Sequence, residues 1–318
     1  MTAAMCLPLV LSALLGVSAA GTARRLPPGT AVRLLGVAAV VTALSTGFVL
    51  AVAGMLVLAQ IPPVAALGHW SGAVVGSRLP VPLVAGWLAV AAFCGLLLAA
   101  LRRTAWAGRD LVLAAIACRR LGPSVAGLVV VDDEEPDAYA LPGIGGRIVV
   151  TTAMLRALPA GERRVLLAHE AAHLRHRHHL WVQAADVAAA ANPMLRPVAR
   201  AVRAGVERWA DEVAAAEVGD RALTARALAR AGLARAAVRR DRAGSAALAA
   251  VDRAVAERAR AMLAGPPPGR RLLSAAVAAL ILATGAATLV TSRDAEARFE
   301  AAQSAYASGT TDSYYSHT

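Results

Sequence analysis

Four apolar stretches that contain no charged residue divide this chain. They lie at about residues 3–21, 34–60, 81–101 and 272–290. A helix needs about 20 apolar residues to cross the hydrocarbon core of a bilayer. The pattern therefore predicts three transmembrane helices within residues 1–103 and a fourth at 271–290.

The distribution of arginine predicts how these helices are oriented, because basic residues collect in short cytoplasmic loops. They collect between the first two apolar stretches and after the third: Arg24, Arg25, Arg33, Arg102, Arg103 and Arg109. The only basic residues in the 61–80 loop are Arg78 and His69. We therefore expect the N-terminus outside the cell, residues 104–270 in the cytoplasm and a short extracytoplasmic tail at 291–318. The first stretch could be a cleaved signal peptide, but its arginines follow the apolar run, which favours a retained helix.

Residues 104–270 have the pattern of a folded α+β domain. The runs "GLVVVDD" at 127–133 and "GRIVVTT" at 146–152 are β-branched and bounded by turn residues, which predicts two short strands. The segment between them is rich in proline and glycine, as in turns. The first part of the domain, 105–121, is predicted to be helical.

Helical periodicity dominates the rest of this domain. One helix is predicted from about residue 160 to the break at Asn192-Pro193, and a second continues to Gly219. Ala- and Arg-rich helical sequence then reaches "GPPPG" at 265–269. The predicted fold class is an α-helical membrane protein with four transmembrane helices and a cytoplasmic α+β domain.

Composition agrees with a membrane protein and gives no indication of a nucleic-acid-binding surface or of a cysteine-based site. The chain is 58% hydrophobic, and its net charge of +12 comes mostly from arginine dispersed through helices or beside membrane spans. Such dispersed charge does not predict nucleic-acid binding. The three cysteines show no CxxC spacing, so neither a disulfide framework nor a zinc–thiolate site is indicated.

Five of the seven histidines fall within residues 169–179. His169 to His173 reads H-E-x-x-H, and positions i and i+4 of a helix lie only about 40° apart, so both imidazoles can point at one metal ion. Glu170 follows the first histidine, where its carboxylate can hold a water molecule and accept its proton. This pattern predicts a catalytic zinc site, which also requires a third protein ligand.

The segment "ERWAD" supplies that ligand on a second helix. Glu207 can bind the metal, while Asp211, one turn later, can contact the other ring nitrogen of a zinc-binding histidine. His178 and His179 remain reserve ligands, although their positions favour solvated side chains or contact with the membrane surface. Asp186 is a weaker candidate than Asp211 for supporting a histidine.

HEAAH followed by ERWAD resembles the gluzincin membrane metallopeptidases, which include the HtpX-type and prenyl-protein-processing proteases. The chain is most similar to the BlaR and MecR antibiotic-sensor peptidases, which place a cytoplasmic zinc domain between the third and fourth membrane helices. The segment "DAYALPGIGGRIVVTTAMLRAL" is similar to the edge-strand region of that group, with Tyr139 in a substrate-facing stretch. The chain departs from the group in its tail, which is too short for a penicillin-binding sensor.

The resemblance implies a function and a role for each residue. It assigns His169, His173 and Glu207 as zinc ligands, Glu170 as general base and Asp211 as the residue that orients a ligand. The implied activity is that of an integral-membrane zinc metalloendopeptidase in the plasma membrane, acting in regulated proteolysis or signalling. Its substrate would be a protein or peptide, either a transcriptional repressor or a membrane protein, with no nucleic acid involved. The alternative is a non-catalytic signalling protein that uses the same fold to bind partners, although such a scaffold needs no base at Glu170.

Overall fold

The computed structural model describes residues 2–77, 82–121, 124–143, 145–239 and 245–308. Its helices are α1 Thr2–Arg25, α2 Pro28–Leu58, α3 Pro62–Gly68, α4 Gly72–Gly76, α5 Leu83–Arg120, α6 Thr152–Ala157, α7 Ala160–Arg175, α8 His178–Ala191, α9 Arg196–Val218, α10 Arg221–Arg239, α11 Ser245–Ala264 and α12 Arg271–Ala307. The strands are β1 Leu128–Val131, β2 Ala138–Leu141 and β3 Arg147–Thr151.

The helices α1, α2, α5 and α12 contain the four apolar stretches. Each is long and apolar enough to cross a membrane, as judged from its length and composition. The predicted apolar helices are therefore present at all four places. Residue 81 and residues 309–318, which the sequence places in the third helix and in the tail, lie outside the described residues.

Two of these helices continue past the boundaries predicted from charge. The stretches 81–101 and 105–121 were both predicted to be helical, and α5 runs unbroken through them from Leu83 to Arg120. Likewise α12 extends beyond 290 to Ala307, through most of the predicted tail. Arginine and alanine are good helix formers, so the charged residues that follow an apolar stretch do not have to end the helix.

The strands form one sheet in the order β1-β3-β2. Both strands predicted from the sequence are present, and β1 pairs parallel to β3. The third strand, β2, lies in the segment interpreted as turns and pairs antiparallel to β3, with Tyr139 opposite Val149. Among the described residues β2 is therefore an edge strand.

The helix predicted from 160 to 191 is divided into α7 and α8, so the expectation of one continuous helix was wrong. Helix α7 ends at Arg175, and Arg177 adopts a left-handed conformation with φ of 51° before α8 begins. Neither proline nor glycine marks this break in the sequence. The bend is accompanied by packing of α8 against the apolar helices α2 and α5, so tertiary contacts override a helix-compatible sequence.

Helix α8 and the start of α9 form a hairpin that packs among the apolar helices. Its tip is Asn192, whose side-chain nitrogen donates hydrogen bonds to Ser12 Oγ at 2.8 Å and to Thr46 Oγ1 at 3.2 Å. Ser12 and Thr46 lie well inside α1 and α2. The core of this region is mostly small and aliphatic, and it joins the apolar helices α1 and α2 to the hairpin: Leu15, Val32, Leu35, Ala39, Ala185, Ala188, Leu195, Val198 and Val202.

Candidate metal centre

Helices α7 and α9 bring three potential metal ligands together. His169 Nε2 lies 3.2 Å from His173 Nε2. Glu207 has carboxylate oxygens 3.8 Å from His169 Nε2 and 3.7 Å from His173 Nε2. Ligand atoms in a tetrahedral zinc site with bonds of about 2.0–2.1 Å stand about 3.3 Å apart, so these separations fit a zinc ion. The two neutral imidazoles and one carboxylate are also a donor set that zinc prefers.

Asp211 and Arg258 support His169. Asp211 Oδ1 lies 3.0 Å from His169 Nδ1, within hydrogen-bonding distance, although the ring N–H does not point straight at that oxygen. Arg258 of α11 donates two hydrogen bonds to the Asp211 carboxylate, from Nε at 2.8 Å and Nη2 at 2.6 Å. The guanidinium also lies 3.2 Å from Glu207. One arginine therefore contacts both the candidate metal ligand of α9 and the carboxylate beside His169.

These contacts shift the ionisation of the buried groups. Burial alone would raise the pKa of Asp211, but the hydrogen bonds from Arg258 and the nearby His169 ring lower it to about 2. Burial alone would lower the pKa of His169, yet the nearby Asp211 carboxylate outweighs burial, and the pKa is raised above its usual value. Asp211 is therefore an anion at neutral pH, and a carboxylate is one of the acceptors that usually orient a zinc-binding imidazole.

His178 supports the second histidine. The sequence favoured a solvated side chain at this position, but His178 is only 1% exposed, and its Nδ1 lies 3.1 Å from His173 Nδ1. The expectation was wrong because the bend at Arg177 turns α8 back toward α7. Burial lowers the pKa of His173 to about 4 and that of His178 to about 3, so both rings are neutral at pH 7.

Glu170 is also buried on α7, with 7% of its surface exposed, and it lines the same cleft as the three candidate ligands. Burial raises the pKa of its carboxyl group, an effect that the nearby His169 and Arg235 partly offset. A carboxylate of raised pKa beside a metal site is suited to accept a proton and return it.

The cleft has a volume of about 730 Å³. Its walls come from β2 and from the helices α7, α8, α9, α10 and α11. Arg235 of α10 closes one end: it donates to the Asp137 carboxylate at 3.0 Å and to the Ala138 carbonyl at 2.7 Å, which holds the start of β2. Tyr139 lines the cleft and is 41% exposed.

The remaining candidates from the sequence occupy other positions. Within the described ranges, the group of side chains close enough to hold a metal is His169, His173 and Glu207, without the reserve ligands His178 and His179. Asp186 contacts Arg103 of α5 and Arg203 of α9, both at 2.7 Å, so it links two helices and does not support a histidine.

Sequence reasoning missed two arginines, Arg235 and Arg258. Both lie in the Ala- and Arg-rich helices after Gly219, where nothing in the local pattern distinguishes them from the surrounding arginines. Their role becomes visible only from the packing of α10 against α7 and of α11 against α9.

Comparison with known proteins agrees with this geometry. Residues 109–308 match Peptidase family M48, while no curated protein and no solved structure matches the chain. The match covers well over half of the chain and includes every residue of the candidate centre. Members of the family are zinc-dependent peptidases, so membership implies metallopeptidase activity. The chain belongs to Peptidase family M48.

Proposed function

We propose that this protein is an integral-membrane zinc endopeptidase that cleaves protein segments close to the cytoplasmic face of the plasma membrane. One observation carries the proposal: two imidazole nitrogens and a carboxylate lie within 4.8 Å of one another, with the buried Glu170 beside them in an open cleft. The four apolar helices support the membrane location, and the arginines that flank them support a cytoplasmic peptidase domain.

In this proposal His169, His173 and Glu207 hold the zinc ion. When bound, zinc polarises the scissile carbonyl and lowers the pKa of water toward 7. Glu170 accepts the proton of the attacking water and passes it to the leaving amine. Asp211 keeps the ring of His169 in one orientation, and Arg258 keeps Asp211 ionised.

The edge strand β2 supports binding of the substrate as an extended strand. Because β2 pairs antiparallel to β3 with Asp137 opposite Thr151, the backbone groups of Ala138 and Ala140 point to its outer edge. The backbone N–H of Ala138 already donates to the Asp137 carboxylate, and the Ala138 carbonyl accepts a hydrogen bond from Arg235. Ala140 is therefore the position at which a substrate strand would exchange backbone hydrogen bonds, with Tyr139 as its neighbour in the cleft.

By resemblance to the BlaR and MecR peptidases, the substrate is either a transcriptional repressor or a membrane protein, and cleavage serves signalling or membrane-protein quality control. The packing of the α8–α9 hairpin against α1 and α2 supports a site close to the bilayer.

The test compares zinc content and proteolysis of the detergent-purified wild type with Glu170→Gln, His169→Ala and Glu207→Ala. We expect about one zinc per chain in the wild type and in Glu170→Gln, and loss of zinc in the other two variants. Cleavage of unfolded casein should be lost in all three. Glu217→Gln is a matched control, because Glu217 is an exposed glutamate of the same helix as Glu207 and pairs with Arg175 at the surface.

Two results would contradict the proposal. Undiminished cleavage by Glu170→Gln would remove Glu170 from catalysis. Stoichiometric zinc in a wild-type protein that cleaves neither casein nor itself would favour the non-catalytic partner-binding alternative.

A further inference from the structure

We propose that His178 is a positioning residue, which fixes the ring of His173 for binding zinc. This inference rests on the proposed zinc site. His178 is 1% exposed, and its Nδ1 lies 3.1 Å from His173 Nδ1, on the side of the ring away from Nε2. His173 Nε2 is the nitrogen that faces His169 and Glu207.

The arrangement determines where each proton lies. A neutral imidazole that binds a metal through Nε2 carries its hydrogen on Nδ1. His173 Nδ1 then donates to His178 Nδ1, which must accept, so His178 carries its own hydrogen on Nε2. Within the described part of the chain, His178 Nε2 is buried without a hydrogen-bond partner. A buried polar atom without a partner is unusual and calls for a specific role of the residue.

The backbone is shaped to bring His178 to this place. In an unbroken helix at about 100° per residue, position 178 would point about 140° away from position 173. The left-handed conformation of Arg177 interrupts the helix and returns His178 to the ring of His173. A non-glycine residue in this conformation is strained, and such strain is characteristic of functional sites.

Aromatic packing holds the ring of His178. Its centroid lies 4.7 Å from the Trp209 ring, and His176 stacks on the same tryptophan at 4.6 Å. Trp209 in turn lies next to α2, where Arg33 sits 4.6 Å from its ring centre. His178 therefore occupies a fixed position between a candidate zinc ligand and a side chain anchored on an apolar helix.

The test uses two substitutions that differ in hydrogen bonding. His178→Phe keeps a flat ring against Trp209 and removes the nitrogen, whereas His178→Asn places an amide atom near the position of Nδ1. Zinc affinity is measured by competition with a chelator on the full-length, detergent-purified chain. We expect His178→Phe to bind zinc about 10- to 100-fold more weakly and His178→Asn to recover most of that loss. Leu180→Phe, at an exposed position of the same helix outside the cleft, should bind zinc like the wild type.

The absorption spectrum of the cobalt-substituted protein gives a second readout, because it reports ligand geometry. We expect the spectrum to change in His178→Phe and to be restored in His178→Asn. Equal zinc affinity in His178→Phe and the wild type would overturn the inference, as would equal losses in the Phe and Asn variants at equal stability of the metal-free proteins. If His178→Phe does not fold, His178→Leu takes its place in the same comparison. A wild type that binds no zinc would instead overturn the proposed function itself.

Discussion

The two candidate zinc-binding histidines are held in different ways. The His169 arm consists of His169, Asp211 and Arg258, and it is charged: an anionic carboxylate lies between the imidazole and a guanidinium. The His173 arm consists of His173, His178 and Trp209, and its members are neutral rings in contact.

The outer residues of the two arms, Arg258 and Trp209, also contact different parts of the molecule. Arg258 belongs to α11, within the peptidase region, whereas Trp209 is packed against Gly29 and Arg33 of α2. The charged arm combines strong hydrogen bonds with a severe cost when one partner is removed, while the aromatic arm depends on close packing.

The largest effect is expected from breaking the charged arm with Asp211→Ala. This change leaves Arg258 largely buried without its main partner, and breaking such a pair costs about 3 kcal/mol of the free energy of unfolding. Zinc affinity should also fall about 10- to 100-fold, because His169 loses its orienting contact. Denaturant unfolding of the zinc-free protein in detergent measures the first effect, and chelator competition measures the second.

A double variant separates the two effects. Asp211→Ala combined with Arg258→Met removes the stranded charge, so we expect it to recover stability relative to Asp211→Ala without recovering zinc affinity. A double variant that is no more stable than the single one would show that the charge of Arg258 is not what makes this arm sensitive.

The difference between the arms also explains how much the sequence could predict. His169 with His173, and Glu207 with Asp211, were singled out because helical spacing places each pair on one face of a helix, and Glu170 because it directly follows the first histidine in the H-E-x-x-H motif. The apolar helices and two of the strands were predicted for similar local reasons. These features depend on neighbours in the sequence.

The supporting residues depend on contacts that are distant in sequence. Arg258 is one arginine among many in a helical region of uniform composition. His178 reaches His173 only because the chain bends at Arg177, and no proline or glycine in the sequence indicates that bend. Strand β2 is short and framed by turn residues, and its pairing with β3 defines it as a strand.

A smaller effect is expected from Gly29→Ala, which displaces Trp209 of the His173 arm. The added Cβ would lie 2.9 Å from Trp209 Cε2, so the tryptophan has to shift. Overpacking of this kind costs about 1–3 kcal/mol of the free energy of unfolding. Because His178 rests on Trp209, zinc affinity should fall as well, although no zinc ligand is altered.

Gly47→Ala is the matched control, since Gly47 lies in the same helix and an added Cβ would meet no atom within 4 Å. We expect this variant to keep its zinc affinity and to be unchanged or up to about 1 kcal/mol more stable. If Gly29→Ala lowers stability but leaves zinc affinity untouched, the packing of Trp209 on α2 is structural and does not extend to His173.

The smallest effect is expected from Arg33→Gln, which removes the cation from the face of Trp209. Such a contact at an exposed position contributes about 0.5–1 kcal/mol, so denaturant unfolding should detect only a slight loss. Trp209 keeps its stacking on His176 and its place against Gly29, so His178 should not move and zinc affinity should stay the same. A loss as large as that of Asp211→Ala would mean that the His173 arm also depends on a charge, and the two arms would then differ in location but not in kind.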